Sequence, residues 1–304
     1  MTLCRLACVR YLNTIPLIEG LDKLGGFELI PTVPSRIADL VRTGEADIGL
    51  CSLVDLVRGD LAALRVGMIG CDGPTLTVRL FSTVPLNQAV SVHADTDSHT
   101  SVVLCRVLLS RLYGSRPDII DFDARERIAV GHNGAHLKVR KEPAGPVVLD
   151  DAWPATVLLI GDKVVVDAPP AERYPYQLDL GEAWKELTGL PFVYAVWSCR
   201  SDRVGSPEVS AAAAVLDRQR RHNRTRLDWI VRKHATEHRW PPDLAAQYLG
   251  NRLRYDVGPR EREAVDRFVD EAREWLGGGR GGGGPGGGGP RLGGLVSPAP
   301  VFQP

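Results

Sequence analysis

Small polar side chains recur where strand-like runs give way to helix-like ones. Asn13 follows LCRLACVRYL, Ser52 follows ADIGLC, and Ser98, Thr100 and Ser101 close or follow VSVHADTD. At such junctions hydroxyls and amides stand beside the unpaired N–H groups of a helix start, a combination suited to a carboxylate or phosphate oxygen. Ordinary helix capping accounts for each residue taken alone. In open α/β sheets the ligand crevice lies beyond the carboxyl ends of the strands, where all five are expected.

The other constellations carry less. His234-Ala-Thr-Glu237-His238 has the H-x-x-E-H spacing of one metallopeptidase class. Trp240-Pro241-Pro242 follows at once, and little foldable chain remains to supply a third ligand, so a solvated helix end and no metal are expected. His132 and His136 flank Asn133-Gly134, a turn dipeptide. Asp150-Asp151 reads as a turn ahead of Trp153-Pro154, and the basic stretch from Arg218 to Lys233 as a solvated helical face. The cysteines, dispersed and without a CxxC pair, read as buried free thiols of a reducing compartment. No Ser-His-Asp or Cys-His system stands out.

The elements that must hold these residues alternate. LCRLACV, FELIPTV and ADIGLCS read as strands. Between them Ile15, Leu17, Ile18, Leu21 and Leu24, and then Ile37, Leu40 and Val41 after Pro34, recur at helical spacing. This βαβαβ rhythm predicts a parallel sheet covered by helices. VSVHADTDS reads as a strand before the helix HTSVVLCRVLLSRLYG. Further strands are expected at DIIDF, PVVLDD, TVLLIGDKVVV and PFVYAVWSC. One long helical region is expected from Pro207 to His238, then helices at PPDLAAQYLGN and PREREAVDRFVDEAREWL.

The chain has 304 residues, 37 basic and 37 acidic, so its formal charge is zero. Neutrality argues against a nucleic-acid partner, which calls for excess Lys and Arg. No apolar run is long enough to span a membrane, and MTLCRLACVRYLNTIP does not read as a signal peptide, so a cytoplasmic protein is expected. Residues 277–304, rich in Gly and Pro, read as a disordered tail. The remainder is enough for two lobes. Composition and pattern thus reach a two-lobed α/β protein that binds a small anion.

Specific segments add to this. YLNTIPL, VPSRIADLVRTGEADIGLCSLVDL, GCDGP, SHTSVVLCRVLLS, TVLLIGDKVVV and DLGEAWKELTGLPFVYAVW together resemble the chorismate dehydratase family of the futalosine route to menaquinone. The resemblance spans about nine-tenths of the chain. It implies a type II periplasmic-binding-protein-like fold, two-lobed with a central cleft, and loss of water from chorismate without a cofactor. The family's site asparagine falls on Asn13. Its site serine falls on Thr77, which keeps the hydroxyl and adds a methyl. Its Ser-Arg-Thr-Ser turn appears as Ser98-His99-Thr100-Ser101, so His99 would make a substrate contact pH-dependent. Ser52, Ser98, His99, Thr100 and Ser101 are thus the expected substrate-binding residues, and Asn13 and Thr77 the catalytic ones. The fold implies two crossings between lobes, placed at about 1–92 plus 195–276 for the first lobe and 93–194 for the second. Two rivals are the sister 1,4-dihydroxy-6-naphthoate synthase and a small-anion solute-binding module.

Overall fold

The computed structural model describes residues 4–57, 59–130, 136–137 and 153–276. His132, Asp150-Asp151, the strand expected at PVVLDD and the tail at 277–304 lie outside them.

Among the described residues thirteen strands form two sheets. They are β1 Cys4–Cys8, β2 Phe27–Pro31, β3 Ile48–Ser52, β4 Leu61–Cys71, β5 Val78–Ser82, β6 Ser91–Asp95, β7 Asp118–Asp123, β8 Ile128–Val130, β9 His136–Leu137, β10 Thr156–Ile160, β11 Tyr176–Asp179, β12 Phe192–Arg200 and β13 Leu253–Arg254. The first sheet has the order β13-β4-β12-β3-β1-β2 and the second β11-β5-β10-β6-β7-β8-β9. As the βαβαβ rhythm predicts, β1 pairs in parallel with both β2 and β3. The late strand β12 returns to this sheet antiparallel, between β3 and β4.

Sheet membership shifts the expected crossings. The strand β5 already belongs to the second sheet, so the chain changes sheet between residues 71 and 78 rather than near 92, and returns between 179 and 192. The early crossing was hidden because LAALRVGMIGC and VRLFS carry no alternation that separates one sheet from the next.

Among the described residues ten α-helices cover the sheets: α1 Ile15–Ile18, α2 Pro34–Thr43, α3 Leu53–Leu56, α4 His99–Tyr113, α5 Lys163–Val166, α6 Leu180–Thr188, α7 Pro207–Arg224, α8 Leu227–His234, α9 Pro242–Gln247 and α10 Pro259–Leu276. Pro34 opens α2 and left-handed Gly44 (φ 76°) ends it, while Ile37, Ala38 and Val41 are buried against the sheet. Gly49 is required beneath this helix, since a Cβ there would meet Ile37 and Val41 at 2.6 and 2.7 Å. Trp184, Phe192 and Phe268 join α6, β12 and α10 edge to face in the core, with centroids 5.0 to 5.9 Å apart.

Two expectations are corrected. TVLLIGDKVVV is not one strand: β10 stops at Ile160, Gly161 turns with φ 65°, and KVVV becomes α5. The long helix from 207 breaks after Arg224. The six cysteines are all free and, Cys4 apart, buried. Burial pushes their thiols up, Cys105 to about 12. No described helix is long and apolar enough to cross a membrane.

The basic stretch is only partly a solvated face. Arg220 is nearly buried against Asp217 and Asp256, with its Nε donating to the Val66 carbonyl at 3.1 Å. The H-x-x-E-H segment is likewise solvated only in part: Thr236 and Glu237 are exposed, while its histidines serve two different carboxylates. His234 Nε2 lies 2.7 Å from Glu19, which also takes Lys233 at 2.6 Å, and His238 Nδ1 lies 2.9 Å from Asp162. Burial pushes the Glu19 carboxyl up, but Lys233 and His234 outweigh it and hold it below its ordinary value. A carboxylate held low adds stability that is complete above its ordinary range and fades as pH falls through its folded value. Glu19→Gln is therefore expected to lower stability by about 1–2 kcal/mol at neutral pH. In urea titrations that difference should shrink on acidification below the ordinary glutamate range. A difference independent of pH would contradict it.

Candidate active site

The carboxyl ends of β1, β3, β6 and β10 converge on a cleft between the two sheets, with about 600 Å³ of empty space. Six of the seven expected site residues line it: Asn13, Ser52, Thr77, Ser98, Thr100 and Ser101. They come from four separate stretches of chain, and the switch in strand order brings them together.

His99 is the exception. As the first residue of α4 it directs its ring to α3, where Nδ1 lies 2.9 Å from Asp55 Oδ1, and it is not among the cleft-lining residues. In place of the expected substrate contact, the structure gives the His99 ring a hydrogen-bonding contact with Asp55 beside the cleft.

The hydroxyls at the start of α4 have structural duties as well. Ser98 caps the helix, its oxygen accepting from Ser101 N at 3.1 Å. Thr100 Oγ1 accepts from Val54 N at 3.3 Å, tying α4 to α3. Both hydroxyl hydrogens remain for other acceptors. Ser52 precedes α3 and makes no capping bond of its own.

The segment between β4 and β5 is held by one carboxylate. Asp179, the cap of α6, accepts from Gly181 N and Glu182 N at 3.0 and 3.2 Å, and also from Thr75 N and Leu76 N at 2.9 and 2.7 Å. These bonds pin Leu76 in the left-handed region (φ 73°), a conformation costing about 1–3 kcal/mol without such support. Thr75 and Thr77 on either side are thereby fixed at the cleft wall. Thr75 Oγ1 lies 2.8 Å from Tyr194 OH, and Thr77 Oγ1 lies 2.6 Å from Tyr248 OH. Asn13 Oδ1 accepts from Thr14 Oγ1 at 3.1 Å.

The turn after β10 forms the facing wall. Gly161 lies against the Tyr11 ring, where a Cβ would approach within 2.8 Å. Asp162 accepts from Leu12 N at 3.1 Å. The Tyr11 hydroxyl donates to Asp97 at 2.8 Å, and Asp97 also pairs with Lys163 and Arg125, each at 2.8 Å. Burial pushes Asp97 up, but these cations and the Tyr11 bond hold it low. Lys163 and Arg125 are thus already engaged by acidic partners.

No charged side chain is among the described residues that line the cleft. Three phenols do line it, and burial pushes Tyr11, Tyr194 and Tyr248 well above the ordinary tyrosine value, so at neutral pH they act as hydroxyls. The polarity comes from hydroxyls, an amide and the positive ends of α2 and α4, where Pro34 and Ser98 face the space. Such a site offers hydrogen bonds to an anion and no side-chain base. Tyr11, Thr75, Tyr194 and Tyr248 were missed by sequence reasoning. Tyr11 adjoined the YLNT turn, whereas Tyr248 sits on an unanticipated π-helical turn, Tyr248–Arg252, and had no local signal.

Several known proteins share this architecture. Protein AF1704 from Archaeoglobus fulgidus superposes with a TM-score of 0.60 at 12% identity, covering 89% of this chain and 97% of that one. The alkanesulfonate-binding protein SsuA from Xanthomonas axonopodis pv. citri does so with a TM-score of 0.55 at 10% identity, covering 90% and 92%. The fold is therefore the two-lobed α/β fold of periplasmic binding proteins. In sequence, the chorismate dehydratase of Thermus thermophilus is 28% identical over 277 residues, 86% of this chain and 92% of that protein. Residues 4–274 match the menaquinone biosynthesis family, a span that takes in both sheets and every cleft-lining residue, and the chain belongs to that family.

Proposed function

We propose that the protein converts chorismate to 3-[(1-carboxyvinyl)oxy]benzoate and water, as a cytoplasmic enzyme of menaquinone biosynthesis. The observation that carries the reading is the meeting of Asn13, Thr77 and the Ser98, Thr100 and Ser101 hydroxyls, distant in sequence, in one cleft whose described lining holds no charged side chain. The Thermus relative named for this reaction supports it. We also propose that the two lobes follow the two sheets and close over the substrate, excluding water.

The chemistry asks little of the protein beyond placement. Chorismate is a dianion, and loss of its C4 hydroxyl with the C3 hydrogen makes the ring aromatic. Aromatisation supplies the driving force, so orientation of the substrate is the main requirement. Ser52, Ser98, Thr100 and Ser101, with the start of α4, would receive one carboxylate through neutral donors. Asn13 and Thr77 would face the departing hydroxyl. With no carboxylate or histidine lining the described cleft, the substrate's own enolpyruvyl carboxylate is the proposed acceptor of the C3 proton.

Incubation with chorismate and mass analysis tests the reading. A product lighter by one water is expected. Chorismate held unchanged on the protein would favour a binding module, and turnover of another pathway compound alone would favour the sister synthase.

A further inference from the structure

Resting on the dehydratase reading, a further residue acquires a role. Tyr248 is fully buried, and its ring stacks on Trp240 at 4.8 Å with an interplanar angle of 19°. Its hydroxyl meets Thr77 Oγ1 at 2.6 Å, and Asn13 lines the same cleft.

Only one hydrogen lies between Tyr248 and Thr77. Were Thr77 the donor, the hydrogen of the fully buried Tyr248 hydroxyl would have no receiver among the described residues. Buried polar hydrogens are rarely left so. The arrangement that gives it one runs from Tyr248 O–H to Thr77 Oγ1. The Thr77 hydrogen is then left to point into the cleft it lines.

We propose that Tyr248 is a positioning residue that fixes the Thr77 hydroxyl as a hydrogen-bond donor toward the departing C4 oxygen of the substrate. As the C4–O bond breaks, its electron pair stays on that oxygen, and the C3–H pair becomes part of the aromatic ring. The Thr77 hydrogen bond meets the charge as it develops. The proton that completes water is the one removed from C3, so Thr77 and Tyr248 end with the protons they began with. Burial keeps the Tyr248 phenol protonated at neutral pH, so the donor it supplies is constant there.

Tyr248→Phe keeps the ring and its stack on Trp240 and removes only the hydroxyl. In chorismate turnover it is expected to lower kcat about tenfold with KM within about twofold, the signature of an interaction made in the transition state. In a Thr77→Val background the same change should cause no further loss, because the group it orients is gone. Thr77→Ser should keep kcat within about threefold, since donor and acceptor both survive. Unchanged kcat in a folded Tyr248→Phe protein would overturn the proposal. So would losses that multiply in the double variant, which mark a merely structural tyrosine. A wild-type protein that leaves chorismate untouched in the same assay overturns the dehydratase reading itself.

Discussion

Asn13→Ala is expected to reduce kcat for chorismate by about 10²- to 10³-fold while leaving a folded protein, as loss of a preorganised donor does elsewhere. The residue stands just beyond the end of β1 on the cleft wall, with its amide oxygen accepting from Thr14. Alanine removes the amide donor from that wall. The fold should tolerate the change, because Asn13 is only half-buried and the apolar packing of Leu12 and Ile15 on either side is untouched. Asn13→Asp separates charge from shape. It is nearly isosteric, yet it places a carboxylate opposite a dianion in a cleft whose described lining offers no cation to offset it. It should therefore be at least as inactive as alanine. Steady-state kinetics beside melting curves check both. Undiminished turnover by a folded Asn13→Ala protein would remove Asn13 from the mechanism.

The second large effect lies at a residue that touches no substrate. A Cβ on Gly181 would fall 2.1 Å from Thr75 Oγ1, 2.6 Å from Cys71 Sγ and 2.7 Å from the Gly73 carbonyl. None of these is the free end of a flexible side chain. Thr75 is held by Asp179 and Tyr194, and Cys71 ends strand β4. Gly181→Ala should thus push the segment carrying Thr75 and Thr77 off the start of α6. Overpacking of this kind costs about 1–3 kcal/mol. Displacement of a positioned hydroxyl by about 1 Å can cost about 10²-fold in rate. Both losses are expected together, in urea midpoints and in kcat. Full activity with wild-type stability would show that the segment has slack that the contacts deny.

The sequence and the structure agree most closely where local chemistry decides. Pro34 and Gly44 delimit α2, Ser98 caps α4, and apolar spacing marks the buried faces between them. Asn13, Ser52 and the Ser98–Ser101 group could be placed at the cleft because strand-to-helix junctions are local features with a known position in the fold. Long-range matters escaped. That β5 belongs to the second sheet depends on pairing with β10 and β11, far ahead in the chain. His99 turned out to answer Asp55, 44 residues earlier, and His238 to answer Asp162, 76 residues earlier. Tyr248 joins Thr77 across 171 residues, and no spacing rule spans such a distance. The resemblance supplied Thr77, which pattern alone did not single out.

The most direct test of the account is proton NMR of chorismate incubated with the protein. The account predicts that the ring olefinic signals give way to aromatic ones while the enolpyruvyl methylene signals persist, since the ether bond to the ring survives dehydration. Loss of the methylene signals, by rearrangement or release of pyruvate, would contradict it, as would an unchanged spectrum in the presence of folded protein.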